Sequence, residues 1–372
     1  MIRKSFKFRI YPSKAQETKL ELTLAVCREL YNAALQERRD AWRINRINIS
    51  NQHQEKQLPE IKRIREDLNL VYSQVLQDVL KRVDRSFQNF FCRLKTKGKA
   101  GFPRFQGKSR YNSFTYKQSG FSFADGKLNL SKIGKIKIKL HREIVGKLKT
   151  LTIVRDSCGK WFACFSVETK PEILAPTGIS VGVDVGIATF ITLSDGVTIE
   201  NPRFFERSEK ILVKAQRCLG SQTKGTKQYR KKRKVVAKIH ARIRNRRTDF
   251  THQVSSFLIK HYDNIFFEDL NIQEMVQNHY FAKTISDAAW KQTMEFTRYK
   301  AEDAGRNVRM VDPKNTSQIC SRCGEWVKKK LSCRIHHCLN CGLKIDRDLN
   351  ASLNIKTLGL KSLGFALEAS RL

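Results

Sequence analysis

Four cysteines constrain this chain more than any other feature. They stand as Cys320-x2-Cys323-x14-Cys338-x2-Cys341, with Gly324 and Gly342 directly after the two pairs. A glycine after C-x-x-C lets the backbone turn tightly, so that its N–H groups approach the thiolates. Four thiolates around one ion match tetrahedral Zn²⁺, and closed coordination implies a structural rather than a catalytic site. Cys333, His336 and His337 lie between the pairs as rival ligands, but neither histidine sits in a knuckle. The competing reading, four free thiols, has little support at this spacing.

Ten cysteines in a short secreted domain would suggest disulfides. Here the chain has 372 residues and no apolar leader, and four of its ten cysteines fall in the two pairs. A reducing compartment is the better expectation. No window approaches the ~18 uncharged apolar residues of a membrane span. The chain holds 72 Lys+Arg against 35 Asp+Glu, a net +37, or about one positive charge per ten residues. Small substrates do not require such a field, and self-repulsion opposes compaction, so the expected partner is a long polyanion. The charge is spread along the whole chain rather than along one amphipathic helix, which favours nucleic acid over a membrane surface. At 40% hydrophobic residues there is material for two or three cores.

Residues 3–10 alternate polar and apolar and predict a strand. Ser13 and Gln16 stand in capping-box spacing and open a helix carrying Leu20, Leu24, Leu30, Tyr31 and Leu35. A polar stretch, 44–60, separates it from a second helix over about 72–95. There Leu76, Val79, Leu80, Val83, Phe87, Phe90, Phe91 and Leu94 form a stripe that reads as core. Residues 111–116 and 132–140 read as strands, and 148–168 as a hairpin turning at Asp156–Lys160. Together they make a small β region with a basic face, and Pro171 and Pro176 suggest a boundary. From 178 a new region begins with a β-hairpin whose first strand holds Asp184. A basic helical stretch, 221–247, has 12 Lys/Arg and no acid. A helix (248–262), a strand (264–272), a helix (286–304), a strand (306–312), the cysteine insert (313–344) and a last helix from about Asp346 follow.

Asp184 interrupts the apolar strand SVGVDVG, Glu268 ends the apolar run IFFE, and Asp348 lies in DRDLNASLN. Singly, each has an ordinary explanation: a turn residue, an edge residue, and an N-cap that either Asp346 or Asp348 supplies. Together they point further, because an apolar strand does not bury a carboxylate without a partner. Carboxylates converging on Mg²⁺ or Mn²⁺ solve that problem. Two such ions about 4 Å apart clamp the attacking and leaving oxygens of a phosphodiester displacement. Beside such a centre, the basic run with Arg230, Lys231, Lys232 and Arg233 reads as a phosphate contact surface rather than a solvated helix face.

GVDVGIATFITLSDG, EDLNI, VDPKNTSQICSRCG and CLNCGLKIDRDLNASLNI resemble, in order, the motifs of the TnpB (OrfB) family encoded by insertion sequences. FKFRIYPSKAQETKL and GFPRFQGKSRYNSFTY are similar to that family too, so the resemblance runs to about residue 356. It implies a multidomain α/β protein with an RNase H-like RuvC nuclease domain (178–312 and 345–372) and an inserted zinc ribbon (313–344). It further implies a β-barrel-like wedge domain (1–11 and 112–177) and a helical recognition domain (12–111). The family's catalytic triad maps onto Asp184, Glu268 and Asp348. Asp348 is preferred to Asp346 because it is the acid followed by x-Asn-Ala. Ser352, where alanine is commoner, is a departure that touches no metal ligand.

The implied activity is cleavage of double-stranded DNA beside a short transposon-associated motif, guided by an RNA from the element's end. The implied setting is a monomer in a prokaryotic cytoplasm, associated with the nucleoid. An RNA-guided DNA-binding regulator without cleavage is the alternative, and the intact triad weighs against it. A strand-joining transposase would need a nucleophile motif that is not evident. At the start of the second helix, Gln74 and Gln77 are candidates for reading a base of the adjacent motif, since Gln binds adenine bidentately in the major groove. An ordinary solvated helix start is the plainer reading of the same residues.

Overall fold

The computed structural model describes residues 1–96, 98–124, 126–277, 280, 282–330 and 333–364. The end of the expected nuclease segment, 365–372, lies outside them. The chain divides into two compact units, Met1–Thr169 and Lys170–Leu372.

The first unit opens with strand β1 (Ile2–Tyr11), then helices α1 (Lys14–Asn45) and α2 (Asn51–Ile64), a 3₁₀ turn at Glu66–Leu70, and α3 (Ser73–Lys95). Six strands complete it: β2 (Ser113–Tyr116), β3 (Phe121–Ala124), β4 (Lys127–Leu130), β5 (Gly134–Lys139), β6 (Lys147–Arg155) and β7 (Trp161–Thr169). They form one antiparallel sheet, ordered β2-β6-β7-β1-β5-β4-β3. The sheet curls until its two edge strands meet, with the Tyr116 and Phe121 rings 6.4 Å apart. This is the expected β-barrel-like element. Alternation places Phe6, Phe8 and Ile10 inside. Ile136 and Ile138 are also buried, while Lys135, Lys137 and Lys139 stay on the opposite face.

The Ser13 capping box is complete, with the Ser13 hydroxyl accepting from Gln16 N–H and the Gln16 side chain accepting from Ser13 N–H. The helices share one hydrophobic core with the sheet, through Leu20, Leu24 and Leu35 of α1 and Val75, Leu76, Val79, Leu80 and Val83 of α3.

Two expectations need correction here. The polar stretch contains α2, started by Ser50, whose hydroxyl accepts from His53 N–H. That helix is anchored by polar burial: Arg38 donates to Gln54 Oε1 at 2.8 Å, and Gln54 donates to the Ala34 carbonyl at 2.9 Å. An apolar period cannot report such contacts. The stripe on α3 is core only as far as Val83, with Phe87 half-buried; Phe91 and Leu94 are exposed.

The second unit begins with β8 (Ser180–Val185), β9 (Thr189–Leu193), β10 (Thr198–Glu200), α4 (Phe204–Gly220) and α5 (Lys227–His261). It continues with β11 (Asn264–Glu268), α6 (Ile272–Met275), α7 (Ala282–Ala288), α8 (Trp290–Ala304) and β12 (Asn307–Val311). The small hairpin β13 (Ile335–His337) and β14 (Lys344–Asp346) leads into the last helix, α9 (Arg347–Ser362). The basic stretch and the apolar helix after it, expected as separate elements, are one helix, α5. The expected helix 286–304 is two, broken at Ala289, where φ is +57°.

The sheet order is β10-β9-β8-β11-β12. Strands β10, β9 and β8 are antiparallel neighbours, whereas β8, β11 and β12 run parallel. On one face, Val181, Val183, Ile265 and Phe267 pack with Val254 and Leu258 of α5 and Trp290 and Met294 of α8. On the other, Phe266 and Val311 pack against Ile355 of α9. A mixed sheet covered by helices on both faces is the architecture expected of an RNase H-like domain. No helix among the described residues is long and apolar enough to cross a membrane.

Candidate nuclease centre and zinc ribbon

Strand alternation decides where the acids go. On β8, Gly182 and Asp184 share a face, and on β11 Phe266 and Glu268 share the same one. Gly182 pairs with Phe266 and Val183 with Phe267, so Asp184 and Glu268 follow side by side at the carboxyl ends of two parallel strands. Helix α9 covers this face closely. A Cβ on Gly182 would stand 2.0 Å from the Ser352 carbonyl, and one on Gly359 2.1 Å from the Phe266 ring. From Ser352 back to Asp348 is four helix residues, about 6 Å of rise. From Gly182 on to Asp184 is two strand residues, about 6.6 Å. Helix α9 runs against β8 in direction, so these two steps match and bring Asp348 level with Asp184.

The electrostatics fit that geometry. Burial pushes the Asp184 carboxyl well above the ordinary carboxylate range, and the charges of Glu268 and Asp348 push it further, while Arg347 pulls it back. Burial also raises Glu268, against a hydrogen bond in which the Thr316 hydroxyl donates to Glu268 Oε1 at 2.5 Å. Asp348 is held by arginines: Arg347 donates to Oδ1 from Nε at 3.1 Å and Nη2 at 2.9 Å, and Arg334 Nη1 donates to Oδ2 at 3.2 Å.

Asp346 and Asp348 differ in their local contacts. Asp346 is the N-cap of α9, with Oδ1 accepting from Asp348 N–H at 2.8 Å and Leu349 N–H at 3.0 Å. Asp348 sits inside the first turn. The three carboxylates fit hard divalent cations by the chemistry of an all-oxygen donor set. Their oxygens are not drawn up around one point: among the described residues, only the four cysteines form a group of metal-ligating atoms all within 4.8 Å.

In that quartet, Cys320 Sγ lies 3.5 Å from Cys341 Sγ, and Cys323 Sγ lies 3.5 Å from Cys338 Sγ. A tetrahedron with Zn–S of about 2.3 Å has edges of about 3.8 Å, so a zinc ion fits. The knuckles close as the glycines predict. Gly324 N–H donates to the Cys320 carbonyl and Gly342 N–H to the Cys338 carbonyl, with φ of +79° and +73°. A backbone hydrogen bond from Glu325 pushes the Cys323 thiol down to about 6. The Leu343 N–H pulls Cys341 down, but desolvation and the three neighbouring thiols outweigh it and push it up to about 12. Four adjacent thiols cannot all ionise without a cation between them.

The rival ligands stand elsewhere. Cys333 donates to the Ile335 carbonyl, His337 is exposed, and His336 is buried with Nδ1 against Lys329.

Arg230, Lys231, Lys232 and Arg233 are exposed along the first turns of α5. Gln74 Oε1 accepts from Gln118 N–H and Ser119 N–H, both at 3.3 Å, which leaves only its amide NH₂ for a partner. Gln77 is half-buried on the next turn.

Sequence reasoning missed Thr316, Arg334, Arg347, Asn350 and Asn354. Asn350 is buried, donating to the Ile319 carbonyl at 2.7 Å and accepting from Ser321 N–H at 2.9 Å. Asn354 donates to the Thr316 and Ile319 carbonyls at 2.8 and 2.7 Å. The signal was present in NTSQIC and LNASLN, but period and spacing do not say what a polar side chain bonds to.

A mixed sheet with carboxylates at its parallel strand ends, and a four-cysteine ribbon joined to the helix bearing the third acid, define the class: an RNase H-like nuclease fold with an inserted ribbon able to bind zinc. Comparison with known proteins narrows this. A "Putative RNA-guided DNA endonuclease" of Streptomyces pristinaespiralis is 33% identical over 369 residues, covering 96% of this chain and 90% of that protein. InsQ of Escherichia coli K12, named in the same terms, is 29% identical, covering 95% and 92%. The chain belongs to the TnpB (OrfB) family. The family model described as "Probable transposase" matches 163–279, and that of the Cas12f1-like TNB domain matches 290–355. A model described as a helix-turn-helix domain matches 1–46, although here that stretch is one strand and one continuous helix. In fold, the chain is similar to Cas12f1 from a cryo-EM structure of its complex with sgRNA and target DNA. The TM-score is 0.63 at 14% identity, covering 95% of this chain and 98% of that one.

Proposed function

We propose that this protein is an RNA-guided DNA endonuclease that hydrolyses phosphodiester bonds of double-stranded DNA with Mg²⁺ at Asp184, Glu268 and Asp348. The observation that supports this most is that Asp184 and Glu268 stand side by side at the ends of paired parallel strands under α9, with the charges of Glu268 and Asp348 both acting on the buried Asp184. Bound Mg²⁺ would supply the charge that stabilises a phosphodiester displacement. The chain's own residues hold that position: Gly182 and Gly359 let α9 approach, Asp346 caps it, and Thr316 orients Glu268. Zinc on Cys320, Cys323, Cys338 and Cys341 is structural.

The domain roles follow the same reading. Residues 1–11 and 112–177 act as the wedge, 12–111 as the recognition domain, 178–312 with 345–372 as the nuclease, and 313–344 as the ribbon. The partners are a guide RNA from the transposon end and target DNA on the nucleoid of a prokaryote, met by a monomer. Arg230, Lys231, Lys232 and Arg233 neutralise phosphates, and Gln77, with the free amide of Gln74, faces the adjacent motif. The intact acids disfavour a regulator without cleavage.

The test begins with the RNA that copurifies with the protein. Once sequenced, its guide portion is matched to a DNA target flanked by a randomised motif. Mg²⁺-dependent cuts beside one motif, lost in Asp184→Ala with RNA binding kept, are the expected result. Cleavage undiminished in Asp184→Ala, or independent of the RNA, would sink the reading.

A further inference from the structure

Thr316 opens the segment that leads into the first zinc knuckle, and it touches both the ribbon's base and the acidic centre. It is buried, at 4% exposure. Its one hydroxyl proton has two acceptors in reach, Glu268 Oε1 at 2.5 Å and the Pro313 carbonyl at 3.2 Å. The shorter contact, to a carboxylate, takes the proton, because charge-assisted hydrogen bonds are the stronger ones. Glu268 is itself buried, at 8% exposure, on a strand whose next layer is the Phe266 ring. A glutamate has three torsions, and the hydroxyl selects the rotamer that turns Oε1 toward the ribbon.

The backbone of the segment, from Thr316 to Ser321, is tied to α9. The Thr316 and Ile319 carbonyls accept from Asn354, the Ile319 carbonyl also accepts from Asn350, and Ser321 N–H donates back to Asn350. Asn350 stands two residues after Asp348 on the same helix. Residues 316–321 therefore bracket the centre: the Thr316 hydroxyl holds Glu268, and the backbone of the segment holds the helix bearing Asp348. Cys320 lies inside this bracket, so the segment that carries the first zinc knuckle also contacts Glu268 and the helix of Asp348.

We propose that Thr316 is a positioning residue that sets Glu268 for divalent-cation binding and links the zinc ribbon to the nuclease centre. This rests on the reading of Glu268 as a metal ligand. Groups that orient a ligand from behind are worth about tenfold or more in metal affinity.

The experiment titrates the full-length, zinc-loaded protein with Mn²⁺ and follows free ion by electron paramagnetic resonance. Zinc content and melting temperature are measured on every variant. Thr316→Val keeps shape and loses the hydroxyl, and should bind Mn²⁺ about tenfold more weakly with zinc content unchanged. Thr316→Ser keeps the hydroxyl and should restore wild-type affinity. Wild-type affinity in Thr316→Val, or a loss in Thr316→Ser as large as in Thr316→Val, overturns the proposal. If Thr316→Val folds poorly, Thr316→Ala against Thr316→Ser makes the same comparison. Glu268→Gln separates the two levels. Unchanged Mn²⁺ binding in that variant overturns the metal-centre reading itself. Weakened binding there with none in Thr316→Val overturns only the role of Thr316.

Discussion

At the residue scale, the two aspartates of DRDLNAS do different work despite standing two positions apart. Asp346 satisfies two of the free N–H groups that begin every helix, and replacing such a cap costs about 0.5–2 kcal/mol. Asp346→Ala should lower the melting temperature and keep Mn²⁺ binding, whereas Asp348→Ala should keep the fold and abolish cleavage. Denaturation curves and a cleavage assay on both variants check this, and an active Asp348→Ala beside an inactive Asp346→Ala would reverse the assignment. Asp184 makes a prediction about pH. Its folded value is raised by burial and like charge, so the folded chain binds a proton that the unfolded chain has released. The stability given by the neutral acid is present at low pH and lost as pH rises through the folded value. In buffer free of divalent cations, Asp184→Asn should melt above wild type at pH 8, and the gap should close as pH falls toward 4. A gap that stays constant with pH would show that Asp184 ionises freely.

At the element scale, the approach of α9 to β8 and β11 depends on two residues without side chains. A methyl on Gly182 meets backbone at 2.0 Å, and backbone cannot rotate away as a side-chain tip can. Gly182→Ala should therefore cost about 1–3 kcal/mol or more as overpacking. Because the shift lifts Asp348 from Asp184, cleavage should fall more than stability does. Thermal melts paired with cleavage rates test this, and unchanged rates in a folded Gly182→Ala would show that the centre tolerates a displaced helix. Among the described residues only a handful of apolar side chains pack in the ribbon, Leu343 among them, so a metal held by the four cysteines would carry its folding. Metal binding energy is folding energy in such modules. Cys338→Ser should lose the zinc and expose the 313–344 segment to protease while the Met1–Thr169 unit stays resistant. Elemental analysis and limited proteolysis read the two effects.

At the scale of the whole molecule, the net charge of +37 is the dominant quantity. Each phosphate neutralised on a single strand contributes about 0.7 to the slope of log affinity against log salt. Replacing Arg230, Lys231, Lys232 and Arg233 by Gln should therefore flatten the slope for guide RNA by roughly three, if all four meet phosphates. Filter binding across a salt series measures it, and an unchanged slope would place the RNA elsewhere.

The longer strands, the amphipathic helices α1 and α3, the capping box at Ser13 and the cysteine quartet were legible in the sequence, because each is a local rule: alternation, a 3.6-residue period, a hydrogen bond over three residues, a knuckle of four; the short strands β3, β4, β10, β13 and β14 and helix α4 were not. Asp184 and Glu268 were visible as anomalies in apolar runs, Asp348 only through the motif DRDLNAS, and the family resemblance implied their roles. What remained hidden depends on contacts between distant segments. Helix α2 reads as polar because Gln54 is buried against Arg38, sixteen residues away. The exposed Phe91 and Leu94 read as core because a period reports which face is apolar, not where its cover ends. Thr316 and Asn350 were ordinary polar residues until the fold set one against Glu268 and the other between α9 and the ribbon. Sequence by itself determined which segments form and which side chains stand apart from their surroundings. Tertiary structure alone decided which of those side chains meet, since the register between β8 and β11 joins residues 84 apart in sequence, Gly182 and Phe266, and the approach of α9 joins residues 170 apart, Gly182 and Ser352, so both are set by packing rather than by any neighbour in sequence.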